Sequence, residues 1–551
     1  MVKTRLKLDF WTVTTLVIAL FFALFLIYPL LSLFISGFRD SATGAFTFDN
    51  FIRFFDKKYY YQGLINSFSI TSCVTVLAVL IGAPLAYVMS AYKVKGKNLL
   101  EILIIISMLS PPFIGAYSWI LLGGRSGFVT RWTESLLGIE MPSIYGFGGI
   151  LLVLTLKLFP FIYLFVSGAL KKVDASLIEA AESLGCSPLK KMFTVIFPLI
   201  TPTVLAGSLL VFMNAIADFG TPMLIGEGFN VMPVMIYSEF ISEVGGRANF
   251  SAAMAVIMVL ITAVLFLGQR YASNKKSFTM SSLKPLKPSR LKGIRGVIIH
   301  AAVYLLVLLA VIPQITVIYT SFLATKGSRF LSSFSLESYR TVFGSLMQAI
   351  SNTYLLGLEA IVIIILLGIF IAYLSTRKKN ALTSFIDTIT IFPYILPGSV
   401  LGITLLLAFN DKPLLLTGTV LILIIAFVIR RLPYTLRSSA AILYQISPSM
   451  EEASVSLGCP PVRSFFKVTA VMMMPGVLAG AILSWITVIN ELSASIILYT
   501  GSTKTMSVAI YAEVIRSSYG TAAAISSVLT VTTVISLLIF FKLTGSKEVS
   551  V

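Results

Sequence analysis

Long apolar runs alternate with short polar segments along nearly the whole chain of 551 residues. A helix needs about 20 consecutive apolar residues to cross the hydrocarbon core of a bilayer, and most of these runs reach that length. The runs predicted to span a membrane cover residues 11–36, 64–91, 100–122, 147–168, 199–219, 250–269, 297–321, 350–375, 383–409, 414–436, 475–498 and 521–542. The pattern therefore predicts an all-α polytopic membrane protein with about twelve transmembrane helices.

The composition indicates that lipid, rather than water, surrounds most of the chain. Hydrophobic residues make up 57% of the sequence and charged residues only 12%, too few to cover a soluble protein of this size. Open sheets cannot face lipid, and the runs are too long for the strands of a barrel, so helices remain. The net charge of +19 comes from basic residues grouped at the ends of spans, which indicates orientation in a membrane rather than nucleic-acid binding.

These basic groups predict which side of the membrane each loop occupies. They follow the second, fourth, eighth and tenth predicted spans, and they share one side if the N-terminus is cytosolic. The residues concerned are Lys93, Lys95, Lys97, Lys171, Lys172, Lys190, Lys191, Arg377, Lys378, Lys379, Arg463 and Lys467. An even number of spans then places both the N- and C-termini in the cytosol.

The chain contains an internal repeat of six spans. Matching residues lie 286 positions apart early in the two halves and 273 positions apart later, after a longer loop in the first half. The matching pairs include Asn66 with Asn352, Pro160 with Pro433, Gly185 with Gly458, and Asp218 with Glu491. We predict a first half at 1–270, a basic cytosolic linker at 271–296 and a second half at 297–551. Six spans per half make the repeats parallel, with a substrate path between them.

One polar segment in each half has the pattern of a short helix outside the membrane. The two segments lie near residues 175–188 and 448–461, and each predicted helix ends at a glycine that can adopt a left-handed conformation. The residues assigned to docking are Glu179, Ala180, Ala181 and Gly185 in the first half, and Glu452, Ala453, Ser454 and Gly458 in the second. Small residues let a partner approach closely, and the glutamates offer carboxylates for a charged contact.

This pattern resembles the permeases of binding-protein-dependent ABC importers, in which Glu-Ala-Ala precedes a glycine and a distal proline. The first copy fits with Pro198, whereas the second departs at Ser454 and at Val471. The resemblance implies a type I importer permease fold in the bacterial cytoplasmic (inner) membrane. It also implies that each docking helix binds one of two copies of an ABC ATPase subunit, and that an external substrate-binding protein delivers the substrate for alternating access.

The energy source is expected on another chain. The phosphate-cradling pattern Gly-x4-Gly-Lys-Ser/Thr is absent from the sequence. We therefore predict a permease rather than an enzyme, with no cofactor in this chain and with ATP and Mg on the partner ATPase. An ion-coupled secondary transporter is the alternative class, since such proteins also combine repeats with membrane carboxylates.

Two stretches resemble the ferric-ion group of fused permeases, namely Arg430–Tyr434 and Asn490–Thr500. This resemblance implies ferric iron as the substrate. Permeases for thiamine, phosphonates and polyamines belong to the same branch and remain alternatives. No cluster of Tyr, His or carboxylate residues predicts a metal site in this chain. The resemblance implies that the external binding protein sets the specificity.

Ionisable residues within the predicted spans need a structural or functional reason, because burying a charge in a membrane is costly. Lys157 and its repeat partner Arg430 are opposite in sign to Asp218 and its partner Glu491, which lie in the neighbouring spans. One interpretation is a pair of intramembrane ion pairs. The other places polar side chains on the translocation pathway, for which the candidate residues are Asp218, Glu491, Asn214, Asn490 and Glu359.

Overall fold

The computed structural model describes residues 9–41, 43–109, 112–138, 140–171, 173–242, 248–274, 288–290, 293–327, 329–394 and 396–544. The α-helices are Phe10–Phe22, Tyr28–Gly37, Asp49–Asp56, Lys58–Ala91, Lys97–Leu109, Pro112–Gly123, Phe128–Leu137, Phe147–Leu170, Ala175–Ser183, Pro188–Lys191, Phe197–Ile216, Gly220–Ile225, Met232–Ile241, Ala248–Asn274, Gly293–Ser321, Glu337–Ser345, Met347–Arg377, Ala381–Ile389, Gly398–Ala408, Val420–Gln445, Ser449–Ser456, Pro461–Ser464, Ala470–Ile489, Ser495–Leu498, Met506–Ile515 and Tyr519–Thr544. The π-helical segments are Ala23–Ile27, Met192–Ile196 and Phe465–Thr469, and Phe392–Tyr394 is a 3-10 turn. The strands Leu323–Lys326 and Arg329–Phe334 form an antiparallel hairpin.

Nine helical segments in the described ranges are long and apolar enough to cross a membrane. They are Phe10–Gly37, Lys58–Ala91, Phe147–Leu170, Met192–Ile216, Ala248–Gly268, Gly293–Ser321, Met347–Arg377, Pro461–Ile489 and Tyr519–Phe540. The pair Lys97–Met108 and Phe113–Leu137, bent by 100°, makes a tenth if it is counted as one span. These helices confirm the predicted class of all-α polytopic membrane protein.

Several predicted spans differ from the observed helices, including 100–122, which divides between Lys97–Leu109 and Pro112–Gly123. The prediction of a continuous span over 383–409 is wrong, because the chain forms two helices, Ala381–Ile389 and Gly398–Ala408, with a 3-10 turn between them. Proline cannot donate a backbone hydrogen bond, and Pro393 and Pro397 lie at this interruption. The predicted span at 414–436 is instead the 26-residue helix Val420–Gln445, whose three arginines lower its apolar character.

The first of two compact units contains residues 1–53, 236–256 and 337–546. Val420–Gln445 is its central helix and packs against Met347–Arg377 and Ala470–Ile489. In Val420–Gln445, nearly all side chains that precede the first arginine are buried. This burial explains why that part of the helix is entirely apolar. The span Phe10–Gly37 belongs to this unit and packs against its helices, although it lies at the opposite end of the sequence.

The second compact unit contains residues 54–235, 257–336 and 547–551. Phe147–Leu170 is its central helix and packs against Lys58–Ala91 and Phe197–Ile216. Gly293–Ser321 packs against Pro112–Gly123 in this unit, where Ser118 Oγ donates to the carbonyl of Pro313 at 2.8 Å. Each unit therefore combines most of one predicted half with the first span of the other. Most of the predicted linker 271–296 lies outside the described residues.

Equivalent hydrogen bonds occur in the two units and reflect the internal repeat. In one unit the backbone N–H of Met232 donates to Ser67 Oγ at 2.8 Å, and in the other the N–H of Met506 donates to Thr353 Oγ1 at 2.7 Å. Both bonds hold the start of a short helix against a long span. Asn66 and Asn352, matched in the sequence, precede the two hydroxyl residues and donate to loop carbonyls in their own units.

Candidate docking helices and buried ion pairs

The first docking helix, Ala175–Ser183, has defined caps at both ends. Asp174 accepts the backbone N–H of Ser176 at 2.9 Å, which satisfies one of the free donors at the start of the helix. Gly185 has a φ of +77°, and the N–H of Cys186 donates to the carbonyl of Ala181 at 3.0 Å. This arrangement is a Schellman motif, and it shows the left-handed glycine that the sequence predicts.

The second docking helix, Ser449–Ser456, ends in the same way. Gly458 has a φ of +88°, and the N–H of Cys459 donates to the carbonyl of Ser454 at 3.1 Å. The helix keeps its C-terminal cap although Ser454 replaces the expected alanine, because the cap is formed by the backbone carbonyl of this residue and not by its side chain. A π-helical segment follows each docking loop, at Met192–Ile196 and Phe465–Thr469, which are equivalent positions in the repeat.

The two docking helices present a similar surface. The side chains of Glu179 and Glu452 are exposed, as are those of the alanines that follow them, whereas Ala181 is buried. Leu184 is 84% exposed and its repeat equivalent Leu457 is 90% exposed. These leucines were not among the residues predicted from the sequence. They could have been identified from the repeat, because each immediately precedes a capping glycine.

Lys157 and Asp218 form an ion pair inside the second compact unit. Lys157 Nζ, on Phe147–Leu170, lies 2.6 Å from Asp218 Oδ2, and their side chains are 18% and 4% exposed. The other carboxylate oxygen accepts the backbone N–H of Thr221 at 2.9 Å. Asp218 therefore joins a neighbouring span to the bend that follows Phe197–Ile216.

Glu491 occupies the equivalent bend in the first compact unit but pairs with two cations. Arg430 Nη1 contacts Oε1 and Arg431 Nη2 contacts Oε2, while Oε1 also accepts the N–H of Ala494 at 3.1 Å. From the sequence, Glu491 is paired with Arg430 alone. Successive helical residues point about 100° apart, so spacing gave no sign that the long Arg431 side chain would reach the same carboxylate. This cluster has one more positive charge than the pair at Asp218.

The remaining pathway candidates lie in different surroundings. Asn490 is buried, and its Nδ2 lies 3.4 Å from Thr533 Oγ1. Asn214 is exposed and donates to the carbonyl of Leu210 on its own helix at 2.8 Å. Glu359 is exposed on the surface of a long span. The geometry favours the ion-pair interpretation for the paired carboxylates, and a pathway role for these other residues stays a prediction.

The described residues form a duplicated bundle of membrane-spanning helices with an exposed capped helix in each copy. Residues 75–277 and 364–543 match the family described as binding-protein-dependent transport system inner membrane component. These matches cover most of the chain and fall once in each half, so the chain belongs to this family. It is thus a multi-pass inner-membrane permease of a binding-protein-dependent ABC importer, and not an enzyme.

Relatives with similar sequences carry names for two kinds of transport. The chain is 27% identical to the ferric transport system permease protein FbpB of Actinobacillus pleuropneumoniae, over 97% of this chain and 78% of the relative. It is also 27% identical to the putative 2-aminoethylphosphonate transport system permease protein PhnU of Salmonella typhimurium, over 44% of this chain and 86% of the relative. A solved structure of the MetNI methionine ABC transporter, in an inward-facing conformation, matches 40% of this chain and 96% of its own, at 18% identity and a TM-score of 0.31.

Proposed function

We propose that each docking helix receives one subunit of a separate ABC ATPase, so that two ATPase copies act on one permease chain. The observation that carries this proposal is the pair of exposed, glycine-capped helices at equivalent positions in the repeat. Glu179 and Glu452 provide carboxylates, and Leu184 and Leu457 provide apolar side chains, on the same two loops. ATP and Mg belong to the partner, and both termini of this chain lie in the cytosol with the docking helices.

We propose ferric iron as the substrate, delivered by an external binding protein. Support comes from the relative named for ferric transport, which is 27% identical over 97% of this chain. Among the residues that the structure describes, no group of three or more His, Cys, Asp or Glu could hold a metal ion. Selection of iron is therefore assigned to the binding protein, and the permease provides a transient path by alternating access.

Charge reversal tests the docking role. Replacing Glu179→Arg together with Glu452→Arg should abolish co-purification of the ATPase while the protein still inserts in the membrane. Glu134→Arg is the matched control, because this exposed glutamate lies on a separate helix, Phe128–Leu137, that is not one of the docking helices. ATPase that remains stoichiometrically bound to the double variant would contradict the proposal.

Reconstitution tests the substrate and the energy source together. Proteoliposomes containing this chain, its ATPase and its binding protein should accumulate radioactive ferric iron only with ATP. Excess thiamine, aminoethylphosphonate or polyamine should leave that uptake unchanged. Uptake driven by an ion gradient without the ATPase would instead identify a secondary transporter, and competition by one of the other compounds would reassign the substrate.

A further inference from the structure

The carboxylate of Glu451 connects the second docking helix to the membrane spans by hydrogen bonds. Tyr373 Oη donates to Glu451 Oε1 at 2.5 Å, and Thr469 Oγ1 donates to Oε2 at 3.0 Å. Tyr373 lies on the span Met347–Arg377, and Thr469 is the last residue of the π-helical segment Phe465–Thr469. Each carboxylate oxygen thus connects the docking helix to a different membrane element of the same compact unit.

The neighbouring groups restrict how these partners can move. Tyr373 is 1% exposed, and the Trp11 ring lies 4.5 Å from its ring centroid. The Phe465 ring packs 4.6 Å from Tyr373 and 5.0 Å from Trp11. Because these rings are closely packed, a displacement of Glu451 cannot be absorbed locally by rotation of the tyrosine. A π-helical segment is a local irregularity that often marks a functional site, and here it holds the second hydrogen-bond donor.

The first half has different residues at two of these three positions. The repeat equivalents of Glu451 and Thr469 are Ile178 and Ile196, while Tyr373 corresponds to Tyr87. Ile178 and Tyr87 pack against the hydrophobic core of the second unit. An apolar contact permits sliding, whereas a hydrogen-bonded carboxylate requires a defined geometry. The first docking helix has a carboxylate contact of its own, from Glu182 to Lys191 Nζ, so the two docking helices are attached to their units through different residues.

We propose that Glu451 is a positioning residue that transmits movement of the second docking helix to the spans. This proposal rests on the docking role proposed above. Glu451 stands beside the docking residue Glu452 but is engaged inside its own unit, so its predicted role is transmission of movement, not recognition of the ATPase.

The test measures ATP hydrolysis and substrate uptake separately in proteoliposomes with the full transporter. Glu451→Ala and Glu451→Ile, the latter copying the first half, should keep the ATPase bound and hydrolysing. Both hydrogen bonds to Glu451 are then lost, and because one of ordinary net strength corresponds to a factor of up to about ten, the substrate moved per ATP should fall roughly tenfold or more. Glu451→Gln keeps an acceptor for Tyr373 and should restore part of the ratio.

Two further variants keep the test decisive if Glu451 substitutions prevent insertion. Tyr373→Phe and Thr469→Val each remove one donor with little change in volume, and each should lower the ratio of uptake to hydrolysis. Tyr163→Phe is the matched control, because it removes a similar bond of 3.1 Å, to Glu101, between two residues of the second compact unit. An unchanged ratio in the Tyr373, Thr469 and Glu451 variants, with the ATPase still bound, would overturn the transmission role alone. If the ATPase does not bind the unmodified chain, the docking proposal is overturned instead.

Discussion

The cluster around Glu491 allows a direct test of how charge balance stabilises the spans. In Glu491→Gln the side chain keeps its volume but loses its negative charge, and two guanidinium groups that are 13% and 16% exposed lose their counter-ion. In Asp218→Asn a single ammonium group, 18% exposed, loses its partner. An ammonium group can give up its proton when buried, whereas a guanidinium group cannot. The Glu491 variant should therefore be the more severe.

The expected size follows from the burial of both sites. Removing one partner of a buried ion pair costs about 3–5 kcal/mol, because the other charge remains without compensation. We expect Asp218→Asn near the lower end of that range and Glu491→Gln at or above the upper end. An exposed pair contributes only about 0–1 kcal/mol, so Glu227→Gln, which breaks the exposed contact with Arg125, serves as the control.

The assay is thermal unfolding of the purified permease in detergent, followed by the fraction that remains monodisperse on size exclusion. The unfolding midpoint should decrease in the order Glu227→Gln, Asp218→Asn, Glu491→Gln. Replacing Glu491, Arg430 and Arg431 together by leucine should recover much of the loss, since an apolar substitute avoids buried charge. If Glu491→Gln unfolds at the same temperature as Glu227→Gln, the charge-balance reasoning is wrong.

The remaining predictions concern the docking loops and the repeated hydrogen bonds. Gly458→Ala should destabilise the second docking loop by about 1–2 kcal/mol and weaken ATPase co-purification, whereas Gly458→Asn should be milder because asparagine tolerates positive φ. Leu184→Ala with Leu457→Ala should reduce ATPase affinity without changing the unfolding midpoint, as a titration of the ATPase in detergent would show. Thr353→Val should cost about 1–3 kcal/mol because it leaves the buried N–H of Met506 without its acceptor, and Thr353→Ser should restore the unfolding midpoint.

Local patterns in the sequence predicted local structure well. The left-handed conformations of Gly185 and Gly458 follow from a rule about helix ends that involves only a few neighbouring residues. The apolar runs predicted the spans because a bilayer requires continuous apolar length. Where prolines interrupt a run, as at 383–409, length alone misled the prediction, since an apolar segment can still break into two helices.

Long-range arrangements could not be predicted in the same way. The sequence gives no sign that Phe10–Gly37 packs with helices of the other half, because an apolar lipid-facing helix has no pattern that selects its neighbour. The contact of Arg431 with Glu491 and the hydrogen bonds of Glu451 depend on side chains from different helices that come together only in the folded chain. Sequence spacing constrains residues on one helix, but it does not specify which side chains of another helix they contact.

Two of the three cysteines lie at equivalent positions, directly after the glycines that cap the docking helices. Cys186 and Cys459 each follow a capping glycine, are partly exposed and are free thiols. Replacing Cys73 alone would therefore leave a natural pair of attachment points for spin labels. A pulsed electron paramagnetic resonance measurement on such a sample, with and without nucleotide, would record the separation of the two docking loops through the transport cycle without introducing a new residue near either one.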